Sequence, residues 1–263
     1  MRMKNYFRMK SRVGRGAQHI VGEIGDGRLI KYPHWTGKKW DISTADTVQK
    51  DLDIHHKFGT PIPETRVVLE PDIDDGKKII SPPYAILVEK IRGRILREAD
   101  LADTGIREQF KTLIERSLAI RGQTGSGVDF MGFESIGHLF EYFMGRISAE
   151  ELGTCNILIN SRNQIKLIDT SLLSPARAPT GIGWAIDFLI DVQHSLMAEV
   201  LQDRKLLRQC STDNRSRLMT RLAEEVYALS RPKTGHTVPP PPRTLPFQMP
   251  LPPFSNGTTF SRN

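Results

Sequence analysis

The stretch CNILINSRNQIKLIDT, residues 155–170, constrains the fold more than any other part of the chain. Two short apolar runs, 157–159 and 165–168, flank a polar turn at 160–164. Apolar runs on either side of such a turn predict a β-hairpin. A hairpin folds back on itself, so its first and last residues lie side by side. Asn156 stands just before the first run and Asp169 just after the second, which predicts an amide and a carboxylate meeting at one point. Such oxygens suit Mg²⁺, a hard ion that keeps phosphates or water in its other positions. The same pattern also fits a surface hairpin with ordinary polar ends.

The flanking sequence has a mostly β half followed by a mostly helical half. HIVGEI and RLIKYP read as strands joined at Gly25-Asp26-Gly27, a strong hairpin signal. Ser43 can cap a helix running to about Phe58, which Gly59 and Pro61 stop. TRVVLE and YAILVEKIRG are further strands, with PDIDDGKK as the loop between them. Helical spacing of apolar residues then marks GIREQFKTLIERSLAIR and FESIGHLFEYFMGRI, followed by helices near 184–207 and 214–229. The fold class expected is α+β and two-lobed. After about Arg231 the composition changes: the last 33 residues hold nine of the chain's 17 prolines. That tail should be disordered and partly polyproline II, and PPPPRTLP could dock in an aromatic groove of a proline-motif-binding partner.

Composition limits the partners. A net charge of +7 permits an anionic ligand such as a nucleotide. No aromatic-studded basic stripe or zinc-finger spacing points to nucleic acid. The two cysteines, Cys155 and Cys210, imply no disulfide framework and fit a reducing compartment. The basic segment 1–11 is followed by no apolar run, and no segment is long and apolar enough to span a membrane. A soluble, cytoplasmic protein is expected, with export by a non-classical route left open. His55 and His56 are adjacent and point to different faces of a helix, so they form no metal pair.

Phosphate chemistry has further candidates. Gly14 and Gly16 sit in a would-be strand, where missing side chains let backbone N–H groups approach an anion. Lys31 lies between Ile30 and Tyr32, a cation in an apolar strand, and Asp51 and Asp53 follow on the next helix. The order glycine loop, strand lysine, helix acid, linking strand, asparagine, hairpin, aspartate resembles the protein kinase-like superfamily. The style is nearer to small bacterial kinases and the aminoglycoside-phosphotransferase branch than to eukaryotic kinases. The ordered motifs span about residues 12–175.

The resemblance implies a bilobal kinase-like domain at about 12–230, with a small antiparallel-sheet N-lobe carrying one helix (12–92) and a mainly helical C-lobe (93–230). It implies ATP and Mg²⁺ as cofactors. Gly14 and Gly16 would lie over the phosphates. Lys31 would contact the α and β phosphates, with Asp51 steadying it. Glu89 and Lys90 would lie in the linker that holds adenine by backbone hydrogen bonds. Asn156 and Asp169 would bind the metal. The activity implied is transfer of the γ-phosphate to a hydroxyl acceptor, protein Ser or Thr first, a small molecule otherwise. The alternative is a pseudokinase that only holds nucleotide or a partner.

The departures from that pattern are specific. His19 replaces the third glycine, the helix acid is one methylene short, and Thr170-Ser171 follow Asp169 where Phe-Gly is usual. The catalytic aspartate, normally five residues before the asparagine, is replaced by Glu151, and the histidine two residues earlier by Ala149. Glu151 can accept a proton or can be a solvated helix-end residue, and Glu150 is a neighbour that could substitute. Asp129, in the glycine-rich segment 122–135, could be a displaced catalytic carboxylate or a helix cap.

Overall fold

The structure is a computed structural model, and it describes residues 5–15, 19–35, 40–41, 44–131, 156–178 and 183–210. The expected helices at 133–147 and 214–229, Gly16, Ser43, Glu150, Glu151 and the proline-rich tail lie outside the described residues.

The N-terminal part runs β1 (Tyr6–Arg8), β2 (Ser11–Arg15), β3 (His19–Glu23), β4 (Arg28–Trp35), β5 (Trp40–Asp41), α1 (Ala45–Lys57), β6 (Thr65–Leu69), β7 (Asp72–Asp74), β8 (Ile79–Ile80) and β9 (Tyr84–Glu89). The main sheet has the order β2-β3-β4-β9-β6, antiparallel throughout, with β5 on β4. The turn between β3 and β4 has Asp26 and Gly27 both at positive φ (62° and 67°). Those are the dihedral signs of a type I′ turn, whose twist matches the strands it joins.

Period-two alternation divides this sheet between two cores. Ile30 and Tyr32 of β4 and Ala85 and Leu87 of β9 enter one cluster with Met9, Ile24, Val68 and Ile73. Tyr84, Ile86 and Val88 enter the other, where Leu29 packs as well. Lys31 alternates with Ile30 and Tyr32 and is paired with Ile86, so the lysine belongs to the second face. The cation in an apolar strand is thus a residue whose face the alternation selects.

The structure differs from expectation at the chain start and in the 71–78 loop. Tyr6–Arg8 pairs in parallel with Asp72–Asp74, which pairs in turn with Ile79–Ile80. Met9 is buried, and a Cβ on Gly22 would collide with its side chain. Packed structure therefore begins before residue 12. Asp72 and Asp74 hid the strand, because aspartates carry low β propensity.

After β9 the chain makes β10 (Gly93–Ile95), a 3-10 turn (Glu98–Ala102), α2 (Thr104–Thr124) and β11 (Gly127–Val128). Then come β12 (Ile157–Asn160), β13 (Ile165–Leu167), β14 (Leu172–Leu173), a 3-10 turn (Pro175–Arg177), α3 (Gly183–Leu201) and α4 (Arg204–Gln209). Asp103 caps α2 through Ile106 N–H, and left-handed Gly125 ends it. The helix expected at 184–207 breaks at Gln202 (φ 53°), and Asp203 caps α4. The main core joins both halves: Leu52 of α1, Phe110 and Leu113 of α2, Ile157 and Leu167 of the hairpin, and Leu201 of α3. The architecture is α+β, an antiparallel sheet followed by a mainly helical part, as the sequence predicts.

Two glycines should respond in opposite ways to alanine. A Cβ on Gly127 would collide with Ile190 of α3, whereas one on Gly122 meets nothing within 4 Å inside α2. Gly127→Ala is expected to lose about 1–3 kcal/mol. Gly122→Ala is expected to gain about 0.5–1 kcal/mol from helix propensity. Urea unfolding checks both, and equal effects would contradict the close β11–α3 packing.

Candidate functional site

The hairpin brings its ends together. Ile157 pairs with Leu167, and Ile168 N–H donates to the Asn156 carbonyl at 2.8 Å, so Asp169 follows directly on Asn156's neighbour. Asn156 Nδ2 donates to the Asp129 carbonyl at 3.0 Å, which turns the amide's oxygen to the opposite side. Asp169 Oδ1 accepts from Ser171 N–H at 3.0 Å. Lys31 Nζ reaches across from β4 and donates to the Ile168 carbonyl at 2.8 Å. Lys31, Asn156 and Asp169, which are scattered along the sequence, therefore stand around one backbone segment.

Asp51 is placed differently from the expectation. No ion pair joins it to Lys31 among the described residues. Instead Arg177 grips it with both guanidinium nitrogens (Nη1–Oδ2 2.8 Å, Nη2–Oδ1 2.6 Å), and Leu172 N–H donates to Oδ2 at 3.1 Å. The carboxylate is buried, and this planar two-point geometry is the strong form of the pair. The aspartate is a methylene shorter than the glutamate of that pattern, and its partners, Leu172 and Arg177, both lie in the segment after Asp169. Arg177 was not singled out from the sequence. Its one signal was being the sole charged residue between Asp169 and Asp187.

The linker also differs in its donors. The N–H of Glu89 goes to Glu64 O at 2.8 Å, and that of Lys90 to Gly27 O at 2.9 Å. Both of these N–H groups are committed to the sheet. Lys90 Nζ pairs with Glu23 at 2.6 Å. Gly14 lies beside an irregularity in β2, and a Cβ there would meet nothing within 4 Å. Its backbone is uncrowded, and local packing does not demand glycine. His19, at the third glycine's place, contacts the Tyr84 hydroxyl at 3.3 Å.

A second unforeseen residue is Gln193, fully buried on α3. Its Oε1 accepts from Phe130 N–H (2.7 Å) and Met131 N–H (3.3 Å), and its Nε2 donates to Asp129 Oδ1 at 3.1 Å. Nothing in an apolar helix marks one glutamine as a clasp; only the partner strand shows it. β11 pairs with β14, Val128 opposite Leu172, which sets Asp129 beside the segment that leaves Asp169.

The residues present fit Mg²⁺. The donors are a carboxylate and an amide oxygen, both hard, and two protein ligands leave room for phosphates. Among the described residues no group of three or more His, Cys, Asp or Glu could hold a metal by itself.

Two histidines sit close by without charge. Burial pushes His55 down to about 4 against the pull of Asp51, and neither ring nitrogen has a hydrogen-bond partner of ordinary geometry. His194 is also pushed down to about 4, by burial and by Arg121, while its Nε2 and Ser117 Oγ share a hydrogen bond of 2.7 Å. A histidine whose pKa is depressed in the fold binds its proton more readily when unfolded. Stability contributed by neutral His194 is therefore present above about 6.5 and falls as pH drops toward 4. Melting is expected to drop by several degrees more between pH 7 and 5 in wild type than in His194→Gln. Equal drops would contradict the buried neutral imidazole.

No family model matches the chain, and no curated protein matches it. Among solved structures, the chain is similar to the GDP and kanamycin complex of APH(2")-IIia, with 14% identity over 85% of this chain and 95% of that one and a TM-score of 0.30. No helix among the described residues is long and apolar enough to cross a membrane.

Proposed function

We propose that the chain binds a nucleoside triphosphate, ATP first, with Mg²⁺ against the second face of the sheet, and transfers the γ-phosphate to a hydroxyl acceptor. The observation that supports this most is the approach of Lys31 Nζ to the Ile168 carbonyl, 2.8 Å, immediately before Asp169. An ammonium, an amide oxygen and a carboxylate around one backbone segment are the parts that phosphoryl transfer needs, because its catalysis is mainly positioning and charge neutralisation. When bound, the metal offsets charge on the phosphate oxygens. Asn156 and Asp169 would hold it, and Lys31 would exchange its carbonyl partner for phosphate oxygens. Gly14 would leave β2's backbone open to the nucleotide. A protein Ser or Thr is the acceptor we favour, in the cytoplasm, with a small-molecule hydroxyl next.

One observation favours a second reading, a nucleotide-holding module without turnover. Asp51 is engaged by Arg177, and among the described residues no acid forms an ion pair with Lys31. Labelled-ATP incubation separates the two. Incorporation into protein or peptide by wild type, lost in Asp169→Ala, supports transfer. Magnesium-dependent ATP binding without incorporation supports the holding module.

A further inference from the structure

The first strand has an open edge. Among the described strands β1 pairs with β7 alone. Asp72 N–H donates to the Asn5 carbonyl and Met9 N–H to the Asp74 carbonyl, both at 2.9 Å. With Tyr6 opposite Asp72 and Arg8 opposite Asp74 in a parallel pair, residues 5, 7 and 9 turn their main-chain groups to β7. Tyr6 and Arg8 therefore turn theirs the other way, and no described residue hydrogen-bonds to those N–H and carbonyl groups. A groove of about 770 Å³ runs along this segment. Residues 6–10 line one wall, Ile24, Gly25, Asp26 and Arg28 line the other, and β7 lines none of it.

The groove has a cationic face and an apolar floor. Tyr6, Arg8 and Lys10 are exposed, while Phe7 and Met9 turn inward to the cluster that also holds Ile24. The cations are held loosely: Arg8 Nε lies 4.0 Å from Asp74, and Arg28 Nη2 lies 3.5 Å from Asp26. Exposed pairs of that kind contribute little, so a carboxylate from outside can take over either cation. Lys90 and Arg92 extend the basic surface. A hydrogen bond from Lys90, with the charges of Lys10 and Arg92, holds the Glu23 carboxyl below its ordinary value.

We propose that this groove docks an extended segment of a partner protein in which acidic and apolar residues alternate. The segment adds as a strand along the open edge of β1, where its main chain meets the N–H and carbonyl groups of Tyr6 and Arg8. The period of two then sends acidic side chains toward Arg8 and Lys10 and apolar ones toward the floor. The chain's own end is the wrong occupant by charge: residues 231–263 hold four Lys or Arg and no Asp or Glu. A second copy of β1 would oppose cation to cation. Cations on an edge strand also discourage self-pairing, a role that needs neither the groove nor the open main-chain groups.

The test uses the full-length chain and fluorescein-labelled ten-residue peptides, read by anisotropy. One peptide alternates Glu with Val, one alternates Lys with Val, and one is the Glu–Val peptide with alternate amides N-methylated. The Glu–Val peptide is expected to bind one to one, and at least tenfold more tightly than either of the others. Two variants probe the groove. A Cβ on Gly25 would meet nothing within 4 Å, and the residue lies outside the left-handed region, so Gly25→Phe should fill the groove without disturbing the fold. The double variant Arg8→Glu with Lys10→Glu reverses the charge. Each should weaken Glu–Val binding at least tenfold, with the melting temperature and Mg–ATP affinity unchanged. No binding of the Glu–Val peptide, or equal binding of the Lys–Val peptide, overturns the proposal. So does full binding by either variant. Indifference to N-methylation, or equal binding of a ten-residue oligothymidylate, also overturns it, since either marks a general anion surface.

Discussion

Arg177→Ala is expected to lower folding stability by about 3–5 kcal/mol, the range for breaking a buried ion pair from one side. The size follows from the asymmetry of burial. The Asp51 side chain is 5% exposed and that of Arg177 37% exposed. Removing the arginine leaves the carboxylate buried with, among the described residues, the Leu172 N–H as its hydrogen-bond donor. Removing Asp51 instead frees a guanidinium that can rehydrate, so Asp51→Asn should cost less. The double variant Asp51→Asn with Arg177→Ala should recover part of the loss, because the orphaned charge is then gone. Urea unfolding of the four proteins measures this. An Arg177→Ala loss below about 1 kcal/mol, or no recovery in the double variant, would contradict a buried pair that pins the segment after Asp169 to α1.

The second large effect concerns the nucleotide. Lys31→Met is expected to weaken Mg–ATP binding by about tenfold to a hundredfold, since a charge-assisted hydrogen bond is worth about 1.5–3 kcal/mol. Asp169→Ala should go further and make binding indifferent to magnesium, because Asn156 alone supplies no charge to the metal. Folding should barely notice Asp169→Ala: one hydrogen bond to Ser171 N–H is lost, about 1 kcal/mol. Calorimetry with and without magnesium reads affinity, and melting curves read the fold. An Asp169→Ala protein whose ATP binding still tightens with magnesium would place the metal elsewhere.

Some of this site is legible in the amino-acid order. The meeting of Asn156 and Asp169 follows from a local turn and short apolar runs, and the face chosen by Lys31 follows from alternation with Ile30 and Tyr32. Both depend on neighbours a few residues away. What escapes the sequence is long in range or short in extent. Arg177 and Asp51 are 126 residues apart, and no periodicity links a lone arginine to a helix acid. β11 and β14 have two residues each, too few to show a period, yet they place Asp129. Asp72–Asp74 reads as a polar loop, and only pairing with Tyr6–Arg8 makes it a strand. Glu89 and Lys90 stand where the resemblance puts a linker, and their N–H groups answer to the sheet register, which the residue types do not show. Side-chain chemistry was visible; commitments of the backbone were not.

The most direct measurement is calorimetric titration of the wild-type chain with ATP in the presence of magnesium and again with magnesium chelated. If Lys31, Asn156 and Asp169 surround one triphosphate, binding is saturable, one to one, and at least tenfold tighter with the metal. Equal binding in both conditions, or none in either, would contradict it.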